Sequence, residues 1–352
     1  MTFYIISISL LAFVAIYALM GVWAERKISV LIQDRVGPVE TGKFGLLQTF
    51  ADIIKLLQKE DIVPTTADKV LFTLAPVLVF TSVFMGFAVL PFSPSYISSN
   101  INIGLFYFMA IISIEVVGIL MAGWASNNKY AFLGSIRSIA QIIAYEIPAG
   151  IAVLSAVMIY QSLNLQEIAF QQGIYAKSDI YFFGFWKVNT IGGFLSWGVF
   201  QAPHLFIAAI IYFIASLAEA NRTPFDIPEA ESELVAGFHV EYSGFKFGAL
   251  FLAEYAMMFL TSMVLVILFF GAWYSPLPNI ANVKLAEWTN GTYWGIFWIL
   301  LKTLLIVVLQ IWIRWTLPRF RADQLMNFCW KVLIPVSFAC LFISAFWKLI
   351  VL

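Results

Sequence analysis

Residues 247–271, FGALFLAEYAMMFLTSMVLVILFFG, carry a single charge, Glu254, in an otherwise apolar run. A bilayer's hydrocarbon core takes roughly 20 helical residues to cross, so this run predicts a membrane-spanning helix. A carboxylate inside such a helix costs about 2.5–3.5 kcal/mol or more, so Glu254 also predicts a functional role. Outward from this stretch, seven further runs read as spans, at about 2–23, 70–91, 102–124, 139–160, 193–218, 293–315 and 332–351. The chain is 62% hydrophobic and only 11% charged, where soluble domains carry about 25% charged residues. Backbone polar groups in lipid must be satisfied internally, which leaves helices as the spanning element here. The fold class expected is an all-α polytopic membrane protein. It has about eight transmembrane helices, an interfacial amphipathic helix and a structured acidic cytoplasmic loop. Residues 1–352 read as a single membrane domain, with no internal repeat and no low-complexity tract. The first run has no basic flank before it and is too long for a signal peptide, so it reads as a retained helix.

The connections set the orientation. Fifteen Lys and Arg residues fall in or beside the first, third, fifth and seventh connections, and four fall on the other side. The positive-inside rule places the fifteen in the cytoplasm. A net charge of zero argues against nucleic acid as a partner. Cys329 and Cys340 have neither CxxC spacing nor a nearby His. They cannot by themselves hold an iron–sulfur cluster or structural zinc and read as buried thiols.

Within the first connection, KFGLLQTFADIIKLLQKED (43–61) places apolar residues at 46, 47, 50, 53, 54 and 57 and polar ones at 48, 52, 55 and 59. That is helical periodicity with a narrow polar face. The segment is too short and charged to span, so it is expected to lie in the interface. Besides Glu254, the runs contain Glu115, Glu146 and Lys302. Each is a candidate functional charge; the alternative is an internal pair of Lys302 with Glu115 or Glu146. Pro148 and Pro203 free backbone carbonyls, which is tolerable only beside protein or water. His204 reads as a hydrogen-bonded core histidine.

Just before the opening stretch lies EANRTPFDIPEAESELVAGFHVEY, residues 219–242, with Glu219, Asp226, Glu229, Glu231, Glu233 and Glu241. The only bases nearby in sequence are Arg222 and Lys246. Pro224 and Pro228 stop the preceding helix. Asp226 followed by Glu229 resembles a capping box, and predicts a short helix over about 227–236 that ends at Gly237. On that helix Glu229 and Glu233 share a face and Glu231 points elsewhere. Two carboxylates about 6 Å apart at an effective dielectric near 20 repel by about 3 kcal/mol, so some of these groups are expected to have raised pKa values. The interleaved Phe225, Ile227, Leu234, Val235, Phe238 and Tyr242 argue for burial rather than a solvated charge run.

EANRTPFDIPEAESELVAGFHVEYSGFKFGALFLAEY resembles the signature loop of the H-subunit family of NADH:quinone oxidoreductase, respiratory complex I, the counterpart of mitochondrial subunit 1. AERKISVLIQDRVGP (24–38), GWASNNKYAFLGSIRSIAQIIAYE (123–146) and RWTLPRFRADQLM (314–326) resemble the same family in the same order. The resemblance covers essentially the whole chain. It implies a place where the peripheral arm meets the membrane arm, and a share in the chamber that guides quinone from lipid to the last iron–sulfur cluster. It implies that Glu115, Glu146, Glu219, Asp226, Glu229, Glu231, Glu233, Glu241 and Glu254 begin an acidic relay toward antiporter-like subunits, Glu115 being the least general member. Trp23, Arg26, Phe247, Phe251 and Leu252 are implied at the quinone path, together with the family's basic positions Arg222, Arg314 and Arg319; Arg321 matches a further basic position. It implies no cofactor on this chain, quinone as substrate, and NADH, FMN and iron–sulfur clusters in partner subunits. Membrane lipid and the peripheral-arm and antiporter-like subunits are the implied partners, and a bacterial inner membrane is the implied location. Two alternatives share parts of the pattern: a subunit of a membrane-bound hydrogenase and a stand-alone proton-coupled transporter.

Overall fold

The apolar runs fold as helices, and their ends sit where polar caps or left-handed residues break the backbone ladder. The computed structural model describes residues 2–176, 179–189, 191–228, 231–279 and 284–350, with no account of side chains at 2–5 and 231–232. In chain order, α1 is Thr2–Gln33, α2 Gln48–Gln58, α3 Lys69–Gly86, α4 Gly104–Ala125, α5 Lys129–Tyr160 and α6 Leu165–Phe170. A two-stranded antiparallel hairpin follows, β1 Tyr181–Phe182 with β2 Trp186–Lys187, in a register that pairs Tyr181 with Lys187. Then come α7 Gly198–Gln201, α8 Pro203–Glu219, α9 Glu231–Leu234, α10 Gly244–Phe269, α11 Leu285–Trp288, α12 Thr292–Thr316, α13 Ala322–Phe328 and α14 Ile334–Ile350.

The chain is an all-α polytopic membrane protein. Among the described residues seven helices are long and apolar enough to cross a bilayer, and α8, at 17 residues, is a shorter apolar helix. Four predicted boundaries need correction. The first helix runs past 23 to Gln33, because AERKISVLIQ holds neither Gly nor Pro and charge does not stop a hydrogen-bonded ladder; Asp34, at φ 50°, ends it. The fourth begins ten residues earlier than 139, at Lys129, where the Asn128 side chain accepts from the Tyr130 N–H at 2.9 Å, an N-cap. Most of the expected 125–138 loop is therefore helix. The fifth begins at Pro203 rather than 193, with proline in the first turn, where its missing N–H costs nothing. The last starts at Ala322 and reaches Ile350 through a π turn at Cys329–Leu333.

α10 is the enclosed centre: 83% of its most apolar stretch is buried within the chain, against 22% for the α13–α14 span. It packs on α1, α3, α8 and α12. α4 approaches both its neighbours at glycines: a Cβ on Gly118 would lie 2.6 Å from Val79 of α3, and one on Gly123 would overlap the Ser135 side chain of α5. Small residues at such crossings let helices pack closely in lipid. Cys329 and Cys340 are free, buried thiols, and Cys329 donates to the Ala144 carbonyl at 3.1 Å.

Lys302 on α12 is buried and meets the carbonyls of Phe270, Ala272 and Tyr274 at 2.8, 3.0 and 2.7 Å, with its ammonium 4.5 Å from the Trp197 ring. It caps the C-terminal end of α10, where a helix favours a cation. A carbonyl cage thus takes the place of the alternative pairing with Glu115 or Glu146. His204 is buried against Trp347, with ring centroids 5.9 Å apart, but neither ring nitrogen has a hydrogen-bond partner among the described residues, so the core hydrogen bond expected of it is not made.

Candidate functional site

Phe247, Phe251 and Tyr255 recur every four residues on α10 and so share one face. Their rings follow one another at 6.1 and 5.1 Å, and Leu252 sits half-buried beside them. The first turn of α10 lies against α2. The Leu56 side chain comes within 3.2 Å of where a Cβ on Gly248 would stand, and the Lys59 carbonyl crowds Gly244, whose φ is 56°. The Trp23 indole of α1 donates to the Phe44 carbonyl at 3.2 Å, and Arg26 binds Asp52 of α2 at 2.7 Å. Burial alone would raise the Asp52 carboxyl, but the hydrogen bond and charge of Arg26, helped by Gln48 and Lys55, hold it below the usual aspartate value. On its outer face α2 leaves Phe50, Ile53, Ile54 and Leu57 exposed, as are Leu46 and Leu47 just before it. This is the amphipathic segment read from the sequence, here as a short turn at Lys43–Gly45 followed by α2.

The aromatic face ends on buried charge. The Tyr255 hydroxyl donates to Glu25 of α1, which also accepts from Arg314 of α12. The Arg222 guanidinium lies over the Tyr255 ring at 4.4 Å, and its Nη2 is 3.8 Å from Glu254. The other oxygen of Glu254 is 3.0 Å from His239 Nε2. Glu25, Glu115, Glu219, Arg222, Asp226, His239 and Glu254 are each at most 8% exposed, which decides that their charges interact through protein rather than water. Glu115 of α4 lies in electrostatic range of Glu254 and Glu219, and Glu219, at the end of α8, in range of Glu146 on α5. Glu146 in turn accepts from the Ser113 hydroxyl at 2.5 Å. Five helices, α1, α4, α5, α8 and α10, thus bring one set of carboxylates together.

The remaining sequence-predicted residues are dispersed around this set. Asp226 is buried against Arg319 at 2.9 Å, Glu241 accepts from Asn128 at 2.6 Å, and Arg321 precedes α13. Glu233 binds Arg137 at 2.6 Å with its side chain 61% exposed, the kind of surface pair that contributes at most about 1 kcal/mol. Glu229 and the side chain of Glu231 lie outside the described residues, and with them the capping box and the Glu229–Glu233 face. Within 227–236 the described helix is only α9, cut short by Val235 at φ 65°. A cavity of about 570 Å³ opens by the C-terminal ends of α5 and α14, lined among others by Tyr160, Glu167, Asp179, Gln201 and Lys348; none of the sequence-predicted residues lines it.

Four members of the constellation went unread in the sequence. Tyr255 continues the four-residue spacing of Phe247 and Phe251, a signal that was present. Asp52 lies on the polar face of α2. Glu25 reads as an ordinary charge once the first helix is ended at 23, and becomes a buried partner only because α1 continues. His239 carries no local signal, since its partner lies fifteen residues on.

A family model described as NADH dehydrogenase matches residues 5–345. The chain is 54% identical to the second H subunit of NADH-quinone oxidoreductase from Cytophaga hutchinsonii over 352 residues, 96% of each chain. It is also 54% identical to the H subunit of NADH-quinone oxidoreductase from Chlorobium luteolum, covering 97% of this chain and 88% of that one. It is 44% identical to the corresponding H subunit from Brevibacillus brevis, covering 97% and 92%.

Proposed function

The chain belongs to the NADH dehydrogenase family as a multi-pass membrane subunit of the NADH-quinone oxidoreductase kind, and from that premise we propose that it forms much of the quinone chamber and begins the acidic relay coupling quinone reduction to proton translocation. The observation that carries this reading is the unbroken contact from the Phe247–Phe251 face through Tyr255 to Glu25, Arg314, Arg222 and Glu254. An apolar stripe suits an isoprenoid tail, and a small set of convergent polar groups suits a quinone head. Arg26 and Trp23, at the α1–α2 junction, supply the polar guide on the lipid side. The acidic loop faces the cytoplasm in this reading, and the peripheral-arm and antiporter-like subunits of complex I are the partners in an inner membrane.

Partner subunits supply the electrons; this chain's contribution is position and charge. Reduction of a quinone takes up two protons. A unit charge created about 4 Å from a buried carboxylate at an effective dielectric near 20 is worth about 4 kcal/mol. Glu254 lies within such a range of Arg222 and His239, and electrostatic contact passes from it to Glu115, Glu219 and Glu146. A change at the quinone head is thereby felt along the buried set, and coupled carboxylates answer by redistributing protons.

Glu254→Gln and Phe251→Ala in the assembled enzyme test the reading. Glu254→Gln is expected to lower quinone-linked turnover and proton pumping together. Phe251→Ala is expected to alter the apparent KM for quinones according to tail length. Transfer from NADH to an artificial acceptor in the peripheral arm should be normal in both. Wild-type quinone kinetics and pumping in both variants would place the chamber and relay elsewhere.

A further inference from the structure

The turn Gly237–His239 carries a buried imidazole between the aromatic face of α10 and the buried carboxylates. We infer that His239 is the proton-exchanging partner of Glu254, an inference that rests on the chamber and relay proposed above. Its Nε2 is 3.0 Å from Glu254 Oε1. The ring lies 4.0 Å from that of Phe238 and 5.7 Å, edge to face, from that of Phe247. One side chain thus touches both the wall of the proposed quinone path and the carboxylate behind it.

The backbone holds this position. Gly237 has φ 55°, and α5 approaches so closely that a Cβ on Gly134 would stand 2.7 Å from the Gly237 Cα. The His239 N–H donates to the Ala236 carbonyl at 3.1 Å, and its own carbonyl accepts from the Tyr242 N–H at 3.1 Å. The ring therefore meets Glu254 from a fixed platform.

The two oxygens of Glu254 have different partners. Oε2 faces Arg222, 3.8 Å away, a permanent cation. Oε1 faces His239, and imidazole is the side chain whose charge ordinarily changes between about pH 5 and 8. Among the other charged groups on the packed elements, Glu115 of α4 acts on Glu254 electrostatically. Lys246 is engaged by Asp61, Glu241 by Asn128 and Arg137 by Glu233. The exchange is a single transfer along the existing hydrogen bond. The Nε2–H bond of the imidazolium breaks as an Oε1–H bond forms on Glu254, turning an ion pair into a neutral pair with no other bond changed. A proton drawn toward the quinone side or released toward Glu115 shifts that balance.

A structural strut makes a different prediction, because an amide can fill a strut's role and cannot exchange the proton. The assembled enzyme with His239→Gln is assayed for quinone-linked NADH oxidation and proton pumping across about pH 5 to 8, beside NADH transfer to an artificial acceptor. Acceptor transfer is expected to be normal, the quinone-linked rate to fall at least about tenfold, and the residual rate to lose the wild type's pH dependence in this range. Wild-type rate and pH profile in H239Q overturn the inference, and if H239Q fails to assemble, the residual activity of Glu254→Gln is profiled instead. Loss of the same pH dependence there supports the inference, and its persistence overturns it. If E254Q is impaired while H239Q behaves as wild type, the relay stands and the histidine's role falls. If E254Q itself is wild-type in rate and pumping, the relay reading falls first.

Discussion

Glu25 accepts from Tyr255 of α10 and Arg314 of α12 while its side chain is 8% exposed. A carboxylate so buried is tolerated because two donors replace the water it loses. The same logic at lower burial joins Arg26 to Asp52. Arg26 holds the Asp52 carboxyl below its ordinary value despite partial burial, so the ionised pair favours the folded α1–α2 junction. A depressed folded-state value means that this contribution is fully present above the unfolded aspartate range, near pH 4, and is lost as pH falls through the folded value. Asp52→Asn is therefore expected to destabilise the detergent-solubilised enzyme at pH 7 by about 1 kcal/mol or less given solvent screening, read as a lowered thermal midpoint. The gap from wild type should close as the pH is brought below about 4. A gap that stays constant with pH would mean that packing, not charge, is what the substitution disturbs.

At the scale of elements, glycine spacing decides which helices approach. Gly134 of α5 meets the Gly237–His239 turn, and a Cβ there would come within 2.7 Å of backbone that cannot yield without moving His239. Gly150, on the same helix, would meet only the tip of Met109 at 3.6 Å. Gly134→Val is expected to destabilise the subunit by about 1–3 kcal/mol through overpacking and to depress quinone-linked activity. Gly150→Ala, which replaces the poorer helix former, should be neutral or slightly stabilising. The check is the yield and thermal midpoint of assembled enzyme for the two side by side. Equal behaviour would show that the α5–turn contact is slack. The amphipathic α2 belongs to the same scale: its Phe50, Ile53, Ile54 and Leu57 are exposed, an apolar face suited to lipid or a partner, while its inner side seats the first turn of α10.

Over the whole molecule, burial is uneven. α10 is enclosed, while α1, α12 and α14 carry large exposed apolar side chains such as Ile8, Leu305 and Phe342 on surfaces that suit lipid or neighbouring subunits. In the orientation proposed from the charge bias of the connections, the acidic loop lies in the cytoplasm and the hairpin and α11 on the far side. Cysteines placed at Lys187 and Lys284, whose side chains are 57% and 70% exposed, should react with an impermeant thiol reagent from the periplasmic face of intact, outer-permeabilised cells. Reaction only in inverted vesicles would reverse the orientation. Each replaced lysine takes part in an exposed ion pair, so the fold should bear the substitutions.

Helix count, membrane class, the amphipathic α2 and the candidate carboxylates were legible in the sequence, because each rests on local spacing and on the cost of charge in lipid. The run 247–271 needed no neighbours to be read as a span, and Glu254 within it none to be suspected of function. Boundaries were less legible: hydropathy falls where charge begins, while the helical ladder of α1 runs on to Gln33 until the backbone breaks. What local sequence could not supply was the company each charge keeps. The acidic loop has only Arg222 and Lys246 nearby in sequence, yet Asp226 meets Arg319, 93 residues on, and Glu233 meets Arg137, 96 residues back. Glu25 meets Arg314 across 289 residues. Lys302, read as a possible partner for a carboxylate, went instead to the carbonyls ending α10. Charge pairing in a polytopic membrane protein depends on which helix faces cross at which depth, and that follows from the packing of the whole bundle rather than from the spacing of residues along the chain.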